Sequence, residues 1–511
     1  MPVLNWIGKE AVVNHDKDVP FKLLKKVKSS SVEENSENLI IKGDNLEALK
    51  ALMPYYKGKI KCVYIDPPYN TGNEKWRYND NVNSPKIKKW LGQVVGRESE
   101  DLCRHDKWLC MMYPRLKLLK DLLSEDGVIF VSIDDNEQAH LKNIMDEIFG
   151  EINYKYFVWK KKGGAGNTEK VIGTLTEHIL CYFKNKSEKP FNYRNIERTY
   201  KFRDNKGPYN LEGIEKTNMG AYERKTMLFS IINPKTKEEF YPKKNMRWTA
   251  GEKTIKNLIL ENRLFFDEKK KRVFIIKRPE DYEKSENVYY NLLLEFGSLS
   301  QAKSELEKLG FDRELFDTPK PIDLIKHLLK ISTSKNDLIL DSFAGSGTTG
   351  HAVLDLNKDD EGNRKFILIE MEDDIAKKVT AERIKKAIKK YDYNAGFEFC
   401  ELDKPLFNEF GDIDESCSFE QLANYIYFTE TQTNIDKKKI ENNLIGEYQN
   451  FKYYLLFKEK GKNILDKSFF DKIKNIKDNK VVYADKCLID DNLLDKYNII
   501  FKQIPYEVKI Y

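Results

Sequence analysis

The chain has 511 residues and a net charge of +6, with 40% hydrophobic and 33% charged residues. This length is too great for one hydrophobic core, so we expect two to four domains. There is no apolar stretch near the roughly 18 residues of a membrane span and no signal-peptide pattern, which predicts a soluble, cytoplasmic protein. The seven scattered cysteines never form CxxC and the six histidines form no HExxH, so we expect neither a disulfide framework nor a metal site.

The first part of the chain changes character at residue 39. Residues 1–38 are polar and predict an N-terminal arm, whereas in residues 39–184 short apolar runs alternate with segments of helical periodicity. This part contains predicted strands at 39–41, 62–65 and 128–133 and predicted helices at 46–52, 108–123 and 138–149. Strands that alternate with helices are typical of a parallel sheet covered by helices.

Residues 185–300 interrupt this alternation and carry the positive charge. They contain 25 Lys and Arg residues against 17 Asp and Glu residues, whereas the rest of the chain contains 63 against 65. A basic segment with interleaved aromatic residues suits a polyanion such as double-stranded DNA. A solvated lysine-rich surface has the same composition, so the charge alone leaves both interpretations open.

The alternation returns in residues 301–400, where a helix begins near Thr318–Pro321 with proline in its first turn. Strands are predicted at 338–340 and 366–369, with a helix at 348–356 between them. Residues 401–511 are rich in Lys, Asn and Asp and indicate a separate C-terminal domain of unknown role. We therefore predict an α/β fold with a doubly wound, mostly parallel sheet, an inserted domain and a small C-terminal domain.

The motif Asp66-Pro67-Pro68-Tyr69 directly follows the predicted strand 62–65. Prolines have a fixed φ and no N–H donor, and each restricts the residue before it. The result is a stiff strand-end loop that carries a carboxylate, carbonyl acceptors and an aromatic ring. Such a surface can accept hydrogen bonds from an exocyclic amino group and stack on a flat heterocycle, and an ordinary proline-rich turn is the alternative.

A second motif, glycine-rich, runs from Asp341 to Gly350 between a predicted strand and a predicted helix. Gly345, Gly347 and Gly350 fit G-x-G-x-x-G, a pattern in which a ligand approaches the backbone closely. Asp341 could meet a cationic amine, and Glu370, at the end of the next strand, could accept ribose hydroxyls. NAD and S-adenosylmethionine both carry ribose hydroxyls that can donate to such a carboxylate, and a structural glycine turn is the third possibility.

Together the two motifs resemble the adenine-N6 DNA methyltransferases of the β class, in which the catalytic motif precedes the cofactor motif. Asp66 to Tyr69 match the family's DPPY, and Phe343 to Gly347 match its FxGxG loop. Thr318 to Leu329 resemble the helix that closes over the methionine end of the cofactor, and Lys42 to Asn45 resemble the segment that lines its adenine. Further stretches resemble the modification subunits of type III restriction systems, namely 104–109, 112–116, 132–137 and 206–209.

The resemblance implies methyl transfer from S-adenosylmethionine to the N6 amino group of an adenine that has been flipped out of double-stranded DNA. Asp66 and the Pro67 carbonyl would accept the two N6–H groups, Pro68 would stiffen the loop and Tyr69 would stack on the base. The residues that the resemblance and the motif together place at the cofactor are Asp44, Lys320, Asp341, Phe343, Ala344, Gly345, Ser346, Gly347, Thr348 and Glu370.

The resemblance also implies partners. The basic segment 185–300 takes the place of a target-recognition domain, with Arg194, Arg198, Arg203 and Arg247 as candidate DNA contacts. The chain has no Walker A pattern, so any restriction activity, helicase or nuclease, would reside in a separate subunit. A homodimer is the expected assembly.

Several alternatives stay open at this point. The chain could be a stand-alone or type II methyltransferase, and transfer to cytosine N4 is the neighbouring activity, although Asp66 rather than Ser at the first motif position favours adenine. The others are a non-catalytic DNA-binding module on the same fold, an NAD-dependent oxidoreductase and an RNA substrate. Intact Asp66 and Tyr69 argue against the non-catalytic module, and the oxidoreductase leaves the DPPY motif unexplained.

Overall fold

A computed structural model describes most of the chain. The described residues are 4–33, 36–71, 85–95, 103–164, 172–185, 191–192, 198–220, 223–282, 288–408, 412–414, 416–436, 440–441, 443–457 and 463–504. The chain divides into two compact units, one formed by residues 1–192 and 290–511 and the other by residues 193–289. No helix within the described ranges is both long and apolar enough to cross a membrane.

The elements of the described residues are numbered in chain order. The strands are β1 (Lys22–Lys26), β2 (Leu39–Lys42), β3 (Ile60–Ile65), β4 (Leu123–Ile133), β5 (Tyr154–Lys160), β6 (Thr176–Phe183), β7 (Phe202–Asp204), β8 (Gly207–Gly213), β9 (Glu215–Thr217), β10 (Ile231–Ile232), β11 (Glu239–Phe240), β12 (Met246–Trp248), β13 (Leu264–Asp267), β14 (Arg272–Lys277), β15 (Leu292–Leu293), β16 (Leu338–Asp341), β17 (Lys365–Glu370), β18 (Glu398–Pro405), β19 (Leu444–Tyr448), β20 (Phe451–Leu455), β21 (Ile464–Leu465), β22 (Asn479–Ala484), β23 (Lys486–Cys487) and β24 (Ile499–Gln503). The helices are α1 (Lys9–Val12), α2 (His15–Asp18), α3 (Asn45–Tyr56), α4 (Pro85–Val94), α5 (Arg104–Leu122), α6 (Gln138–Phe149), α7 (Glu252–Leu260), α8 (Leu299–Lys308), α9 (Ile322–Ser332), α10 (Thr348–Asp360), α11 (Asp373–Ile375), α12 (Glu382–Tyr391), α13 (Phe419–Thr431), α14 (Lys467–Ile473) and α15 (Asp491–Lys496).

The central sheet has the strand order β1-β18-β2-β17-β16-β3-β4-β6-β5-β15. Every neighbouring pair from β18 to β4 is parallel, whereas β1, β6 and β5 add antiparallel pairings near the two edges. The predicted α/β fold with a mostly parallel sheet is therefore confirmed. The predicted strands of both α/β halves lie side by side in this one sheet.

Helices cover both faces of the sheet. Val63 and Ile65 of β3 pack in one apolar cluster with residues of α3, α5 and α6. Cys62 directly precedes Val63 in the strand and contacts Ser332 of α9. Because successive side chains of a strand point to opposite faces, α9 lies on the face opposite α3 and α5. This is the doubly wound arrangement that the alternation predicts.

Several element boundaries differ from the predictions by a few residues, those of α5 and β4 among them. α5 begins at Arg104 rather than at residue 108, because Cys103 and Asp106 form a capping box at its start. The same helix ends at Leu122, and β4 begins at Leu123 rather than at residue 128, because Leu123 pairs with Ile60 of β3. In both cases the sequence predicts the element and misses its end.

The pairing of β3 with β16 fixes where the two motifs lie. The strands are parallel, with Cys62 opposite Ile339 and Val63 opposite Leu340. Both chains therefore leave the sheet at the same edge, β3 into Asp66 and β16 into the glycine-rich loop. Ligands of open α/β sheets bind outside this carboxyl edge.

The ends of the chain complete the larger unit. β1 pairs antiparallel with β18, so part of the segment 1–38 lies in the sheet. β19, β20, β22 and β24 form a separate four-stranded sheet, whose apolar side packs with residues of α13. Asn434, just after α13, donates to the Met53 carbonyl of α3 over 3.0 Å. The C-terminal region is thereby joined to the helical layer of the α/β core.

Residues 193–289 form the second unit around a small core of their own. β13, β14, β8 and β7 make an antiparallel sheet, and β9 pairs with β12. The buried residues of this core are Ile214, Ile231, Phe240, Trp248, Ile255 and Val273. Short strands and one helix, α7, replace the strand–helix alternation of the larger unit.

Candidate active site

The carboxylate of Asp66 lies just after β3, between a tyrosine and a lysine. The Tyr69 hydroxyl donates to Asp66 Oδ1 over 2.6 Å, and Lys320 Nζ donates to Asp66 Oδ2 over 2.6 Å. Lys320 also donates to the Tyr69 hydroxyl over 2.9 Å. Lys320 is 4% exposed and Tyr69 is 7% exposed. The DPPY loop is thus joined to a buried lysine that lies 254 positions later in the chain.

A second carboxylate faces the same ammonium. Glu177, at the start of β6, is 4% exposed, and its Oε2 lies 3.6 Å from Lys320 Nζ. Its Oε1 lies 3.4 Å from Lys161 Nζ. Burial lowers the pKa of Lys320, but attraction by Asp66 and Glu177 outweighs burial and leaves this pKa raised. Lys320 is therefore charged at neutral pH and neutralises Asp66.

The two prolines are held from behind by α5. The indole Nε1 of the fully buried Trp108 donates to the Pro68 carbonyl over 2.6 Å. In the part of the chain that the structure describes, no hydrogen bond ends on the Pro67 carbonyl. The sequence predicts this carbonyl as the second acceptor for an amino group.

Asn70 closes the loop in the left-handed conformation, with φ of 56°. Its side-chain amide donates to the Arg104 carbonyl over 3.1 Å and to the carboxylate of Glu137. Arg104 Nη1 donates back to the Asn70 carbonyl over 3.1 Å. The end of the DPPY loop is thus tied to the start of α5 and to the residue that precedes α6.

Glu137 is also the centre of the one group of potential metal ligands found among the described residues. The ligand atoms of His105, Glu137 and His140 all lie within 4.8 Å of one another. Both histidines direct Nδ1 to the fully buried carboxylate, at 2.6 and 2.8 Å. A carboxylate only accepts, so both imidazoles carry the proton on Nδ1. Hydrogen bonds within the group account for these contacts, and they orient Glu137 toward Asn70.

Backbone conformation and packing explain the glycines of the second loop. Gly345 and Gly347 adopt φ of 51° and 76°, a conformation that residues with a Cβ rarely take. A Cβ on Gly347 would lie 3.2 Å from the Thr380 carbonyl oxygen. Gly350 lies in α10, where a Cβ would meet Ile384 at 2.9 Å. The sequence interpretation attributes these glycines to a closely approaching ligand, whereas backbone conformation and helix packing already require them.

Asp341 ends β16 in a buried position. Its Oδ2 accepts from the Thr349 hydroxyl over 2.5 Å, and its Oδ1 accepts from the Phe343 backbone N–H over 3.0 Å. Burial raises the pKa of Asp341 to about 7, and repulsion by Asp66 and Glu370 adds to this. Three carboxylates therefore crowd one sheet edge, which favours a cationic ligand there.

Glu370 ends β17 and holds the glycine loop. Its Oε2 accepts from the Gly345 N–H over 2.9 Å, and its Oε1 accepts from the Glu372 N–H over 2.9 Å. The Ala344 N–H donates to the Ile369 carbonyl over 3.0 Å. These bonds fix the Glu370 carboxylate beside the glycine loop, where the sequence predicts that it accepts ribose hydroxyls.

The segment before α9 joins the two loops. The Lys320 carbonyl accepts from the Thr348 hydroxyl over 3.1 Å, while its ammonium reaches Asp66. The buried Arg383 donates to the Thr348 hydroxyl over 2.7 Å and to Ser346 Oγ over 3.0 Å. One residue thus contacts the catalytic loop through its side chain and the glycine loop through its backbone.

The segment after β2 lies against the glycine loop as well. Asn45 Nδ2 donates to the Ser342 carbonyl over 3.2 Å, and the Gly43 N–H donates to the Glu370 carbonyl over 3.0 Å. Asp44 caps α3 and accepts from Arg115 Nη2 over 3.3 Å. All the residues that the sequence assigns to catalysis and cofactor binding therefore lie on segments that meet at one sheet edge.

Several contributors to this site escape the sequence interpretation. Glu177 and Arg383 have no local pattern that marks them, because each acts on a partner far away in sequence. Trp108, Arg115 and Glu137 lie in stretches that resemble type III modification subunits, but the resemblance assigns them no role in the site. The burial of a charged side chain is visible only in the folded structure, so the sequence alone does not reveal it. Glu177 lies at the start of β6 between the polar residues Thr176 and His178, so the local sequence does not mark it as buried.

Residues 60–382, which include both loops, match the family model described as DNA methylase. The chain belongs to the DNA methylase family. The EcoPI Mod subunit of a type III restriction-modification enzyme from Escherichia phage P1 is 33% identical over 446 residues, which are 76% of this chain and 68% of that protein. The predicted resemblance to type III modification subunits is thereby confirmed.

Two further relatives span different shares of their own length. The StyLTI Mod subunit of Salmonella typhimurium is 33% identical over 373 residues, 68% of this chain and 54% of that protein. The type II methyltransferase M.KpnI of Klebsiella pneumoniae is 31% identical over 367 residues, 69% of this chain and 84% of that protein. The match covers 68% of the EcoPI Mod subunit and 54% of the StyLTI Mod subunit, so the chain spans about half to two thirds of their length.

As a member of this family the protein is a DNA methyltransferase, and S-adenosylmethionine is its methyl donor. The site fits that cofactor. The buried Ser342 hydroxyl has no hydrogen-bond partner among the described residues, which indicates that a ligand group supplies one. The neighbouring Asp341 and Glu370 suit a molecule that carries positive charge and hydroxyls.

Three of the four predicted DNA contacts, Arg198, Arg203 and Arg247, are described residues of the smaller unit. Arg194 lies outside the described residues. Arg203 is exposed on β7, whereas the Arg198 guanidinium stacks on the Tyr282 ring at 3.9 Å. Arg247 Nη1 donates to the Trp248 carbonyl over 3.2 Å. Two of the three described arginines thus have contacts inside their own unit.

Proposed function

We propose that this methyltransferase acts on the N6 amino group of an adenine flipped out of double-stranded DNA, at a specific sequence, as the modification subunit of a type III restriction-modification system. One observation carries the proposal. A buried carboxylate, Asp66, lies at the same sheet edge as the cofactor loop, on the directly neighbouring strand. A cofactor held at that loop would place its methyl group on the same side of the sheet as the acid.

Asp66 makes the target nitrogen a better nucleophile. The lone pair of an adenine amino group is delocalised into the ring, so the nitrogen is a poor nucleophile. Acceptance of one N6–H by Asp66 and the other by the Pro67 carbonyl localises that lone pair. A hydrogen bond to a charged acceptor is worth roughly 1.5–3 kcal/mol, which corresponds to about ten- to a hundredfold in rate.

Tyr69 positions the flipped base by stacking on it. Its hydroxyl donates to Asp66 Oδ1, which fixes the orientation of the ring relative to the acid. A base stacked on such a ring gains roughly 1–3 kcal/mol. Extrusion of the base is necessary because the amino group of a paired adenine is inaccessible to an in-line attack inside the duplex.

The cofactor is held by the three segments that meet at the glycine loop. Asp341 and Ser342 face one end of it, and Glu370 accepts the ribose hydroxyls. Bound S-adenosylmethionine supplies an electrophilic methyl group on a sulfonium. The turn at Gly345 and Gly347 would position the cofactor at this edge, and a spacing of about 3–3.5 Å between reacting atoms is productive.

The remaining partners follow from the same assignment. Residues 193–289 are the target-recognition domain and hold DNA phosphates with exposed basic residues such as Arg203. The protein acts as a homodimer, together with a separate restriction subunit, in the cytoplasm where its DNA lies. The similarity to Mod subunits of type III restriction-modification enzymes supports the separate restriction subunit.

Sequencing with base-modification detection tests the proposal. DNA from cells that express this chain, and from cells that express Asp66→Ala, is compared with DNA from cells without it. We expect N6-methyladenine at one sequence motif, present only with the unchanged chain. Methylation of cytosine N4, or no modification at all from a folded protein, would contradict the proposal.

A further inference from the structure

Lys320 occupies an acceptor that the proposed reaction needs. Asp66 Oδ1 is bonded to the Tyr69 hydroxyl, and Asp66 Oδ2 is bonded to the Lys320 ammonium at 2.6 Å. Both atoms of the carboxylate thus have short hydrogen bonds before any base arrives. A target amino group must either compete with the ammonium or replace it.

The side of the ammonium that points away from Asp66 faces an unsatisfied acceptor. An ammonium has three N–H donors, and two of them end on Asp66 and Tyr69. Glu177 Oε2 lies 3.6 Å from Nζ, too long for a hydrogen bond, and is buried without a hydrogen-bond partner among the described residues. A movement of about 1 Å by the flexible lysine would complete that bond.

We propose that the Lys320 ammonium holds on Asp66 the place of the target amino group, and that Glu177 receives the ammonium when the base enters. The inference rests on the proposed function, since it names the residues that open the site for the adenine. Lys320 and Glu177 are positioning residues in this scheme. Asp66 remains the group that touches the substrate.

The balance of charges around Lys320 makes its transfer from Asp66 to Glu177 feasible. Lys161 lies 3.4 Å from the other oxygen of Glu177, so two carboxylates and two ammonium groups share the buried cluster. The lysine moves from one anion to another within this balanced set, and a neutral amino group takes its place on Asp66. A base edge that offers only acceptors gives Asp66 no replacement donor, so the exchange selects an amino group.

Removal of the Glu177 charge has a signature that a purely structural role lacks. The titratable groups that face Asp66 are Lys320, Glu177, Tyr69, Tyr64 and Asp341. Glu177 repels the Asp66 carboxylate and raises its pKa. In Glu177→Gln that repulsion is gone, so Asp66 ionises at lower pH, and the acid limb of the pH–rate profile moves to lower pH.

Single-turnover methylation of DNA by the purified full chain tests the exchange. We expect Glu177→Gln to slow methyl transfer at least about tenfold, to shift the acid limb to lower pH and to leave the affinity for S-adenosylmethionine within about twofold. Glu177→Asp keeps the charge and should recover part of the rate. Asp126→Asn removes an exposed carboxylate that pairs with Lys61 at the opposite edge of the sheet, and should behave as the unchanged protein.

A Glu177→Gln protein with an unchanged rate and an unchanged acid limb would overturn the inference and leave the proposed function intact. So would a Glu177→Asp protein as slow as Glu177→Gln, because the charge would then be irrelevant. Absence of adenine methylation by the unchanged chain would overturn the proposed function and the inference with it.

Discussion

The loops after β3 and β16 leave the same edge of one sheet, but different kinds of contact hold them. The glycine loop is fixed by neighbours: Gly345 and Gly347 set its backbone, and Glu370 of the adjoining strand accepts its N–H. The DPPY loop is fixed by distant side chains, with Lys320 on its acid and Trp108 on its second proline carbonyl. Its own backbone conformation and contacts from β17, α3 and α12 shape the cofactor loop, whereas side chains from α5 and from the segment before α9 shape the catalytic one.

This difference predicts how each loop fails. A change in the glycine loop should destroy its shape and hence cofactor binding, while the DPPY loop keeps its own supports. A change in the DPPY loop should destroy methyl transfer and leave the cofactor in place. Separate losses of the two functions would support the comparison, and joint losses would break it.

The largest effect is expected from Asp66→Ala. The variant loses the acceptor for the target amino group and should have no measurable methyl transfer, at least a hundredfold below the unchanged protein. Its affinity for S-adenosylmethionine should stay within about threefold, because the glycine loop has its own supports. Methyl incorporation into DNA and calorimetric cofactor titration measure the two quantities, and normal turnover would refute the role of Asp66.

Gly347→Leu should give the complementary loss. The residue needs φ of 76°, and a Cβ would lie 3.2 Å from the Thr380 carbonyl oxygen, so the loop must change shape. We expect cofactor affinity to fall at least about a hundredfold, with DNA binding retained.

The matched control for this change is Gly92→Leu. Gly92 is an exposed residue of α4, and nothing lies within 4 Å of a new Cβ there. This variant should bind the cofactor as the unchanged chain does. If Gly347→Leu bound the cofactor equally well, the loop would have been assigned to the wrong ligand.

Trp108→Phe should weaken the catalytic loop alone. The change removes the N–H that donates to the Pro68 carbonyl and leaves a buried acceptor unpaired, at a cost of about 1–3 kcal/mol. We expect a lower melting temperature and a roughly tenfold slower methyl transfer with unchanged cofactor affinity. Equal losses of cofactor affinity and rate would mean that α5 supports both loops.

The smallest expected effect is a pH dependence of cofactor binding. Burial raises the pKa of Asp341 to about 7, so the carboxyl is neutral below that pH and charged above it. A cationic ligand prefers the charged form, so the affinity should be constant above about pH 8 and fall by up to about tenfold per unit below pH 7. Asp341→Asn should have a flat profile, and a flat profile in the unchanged protein would remove Asp341 from the site.

The sequence predicts the locally determined parts of this molecule. The strands that end at Asp66 and Asp341 follow from apolar runs, and the glycine loop follows from residues that need positive φ. The contacts of Lys320 with Asp66, and of Glu177 with Lys320, join residues far apart in sequence and leave no periodic signal. The same limit applies to Arg198, whose stacking on a tyrosine of its own unit no composition reveals.

One measurement tests the central claim most directly. The purified chain is incubated with DNA and S-adenosylmethionine that carries a labelled methyl group, and the DNA is digested to nucleosides. We predict label in N6-methyladenine with the unchanged protein, and none with Asp66→Ala or Gly347→Leu. Label in N4-methylcytosine, or undiminished label with Asp66→Ala, would contradict the assignment of a methyl acceptor to the edge that β3 and β16 share.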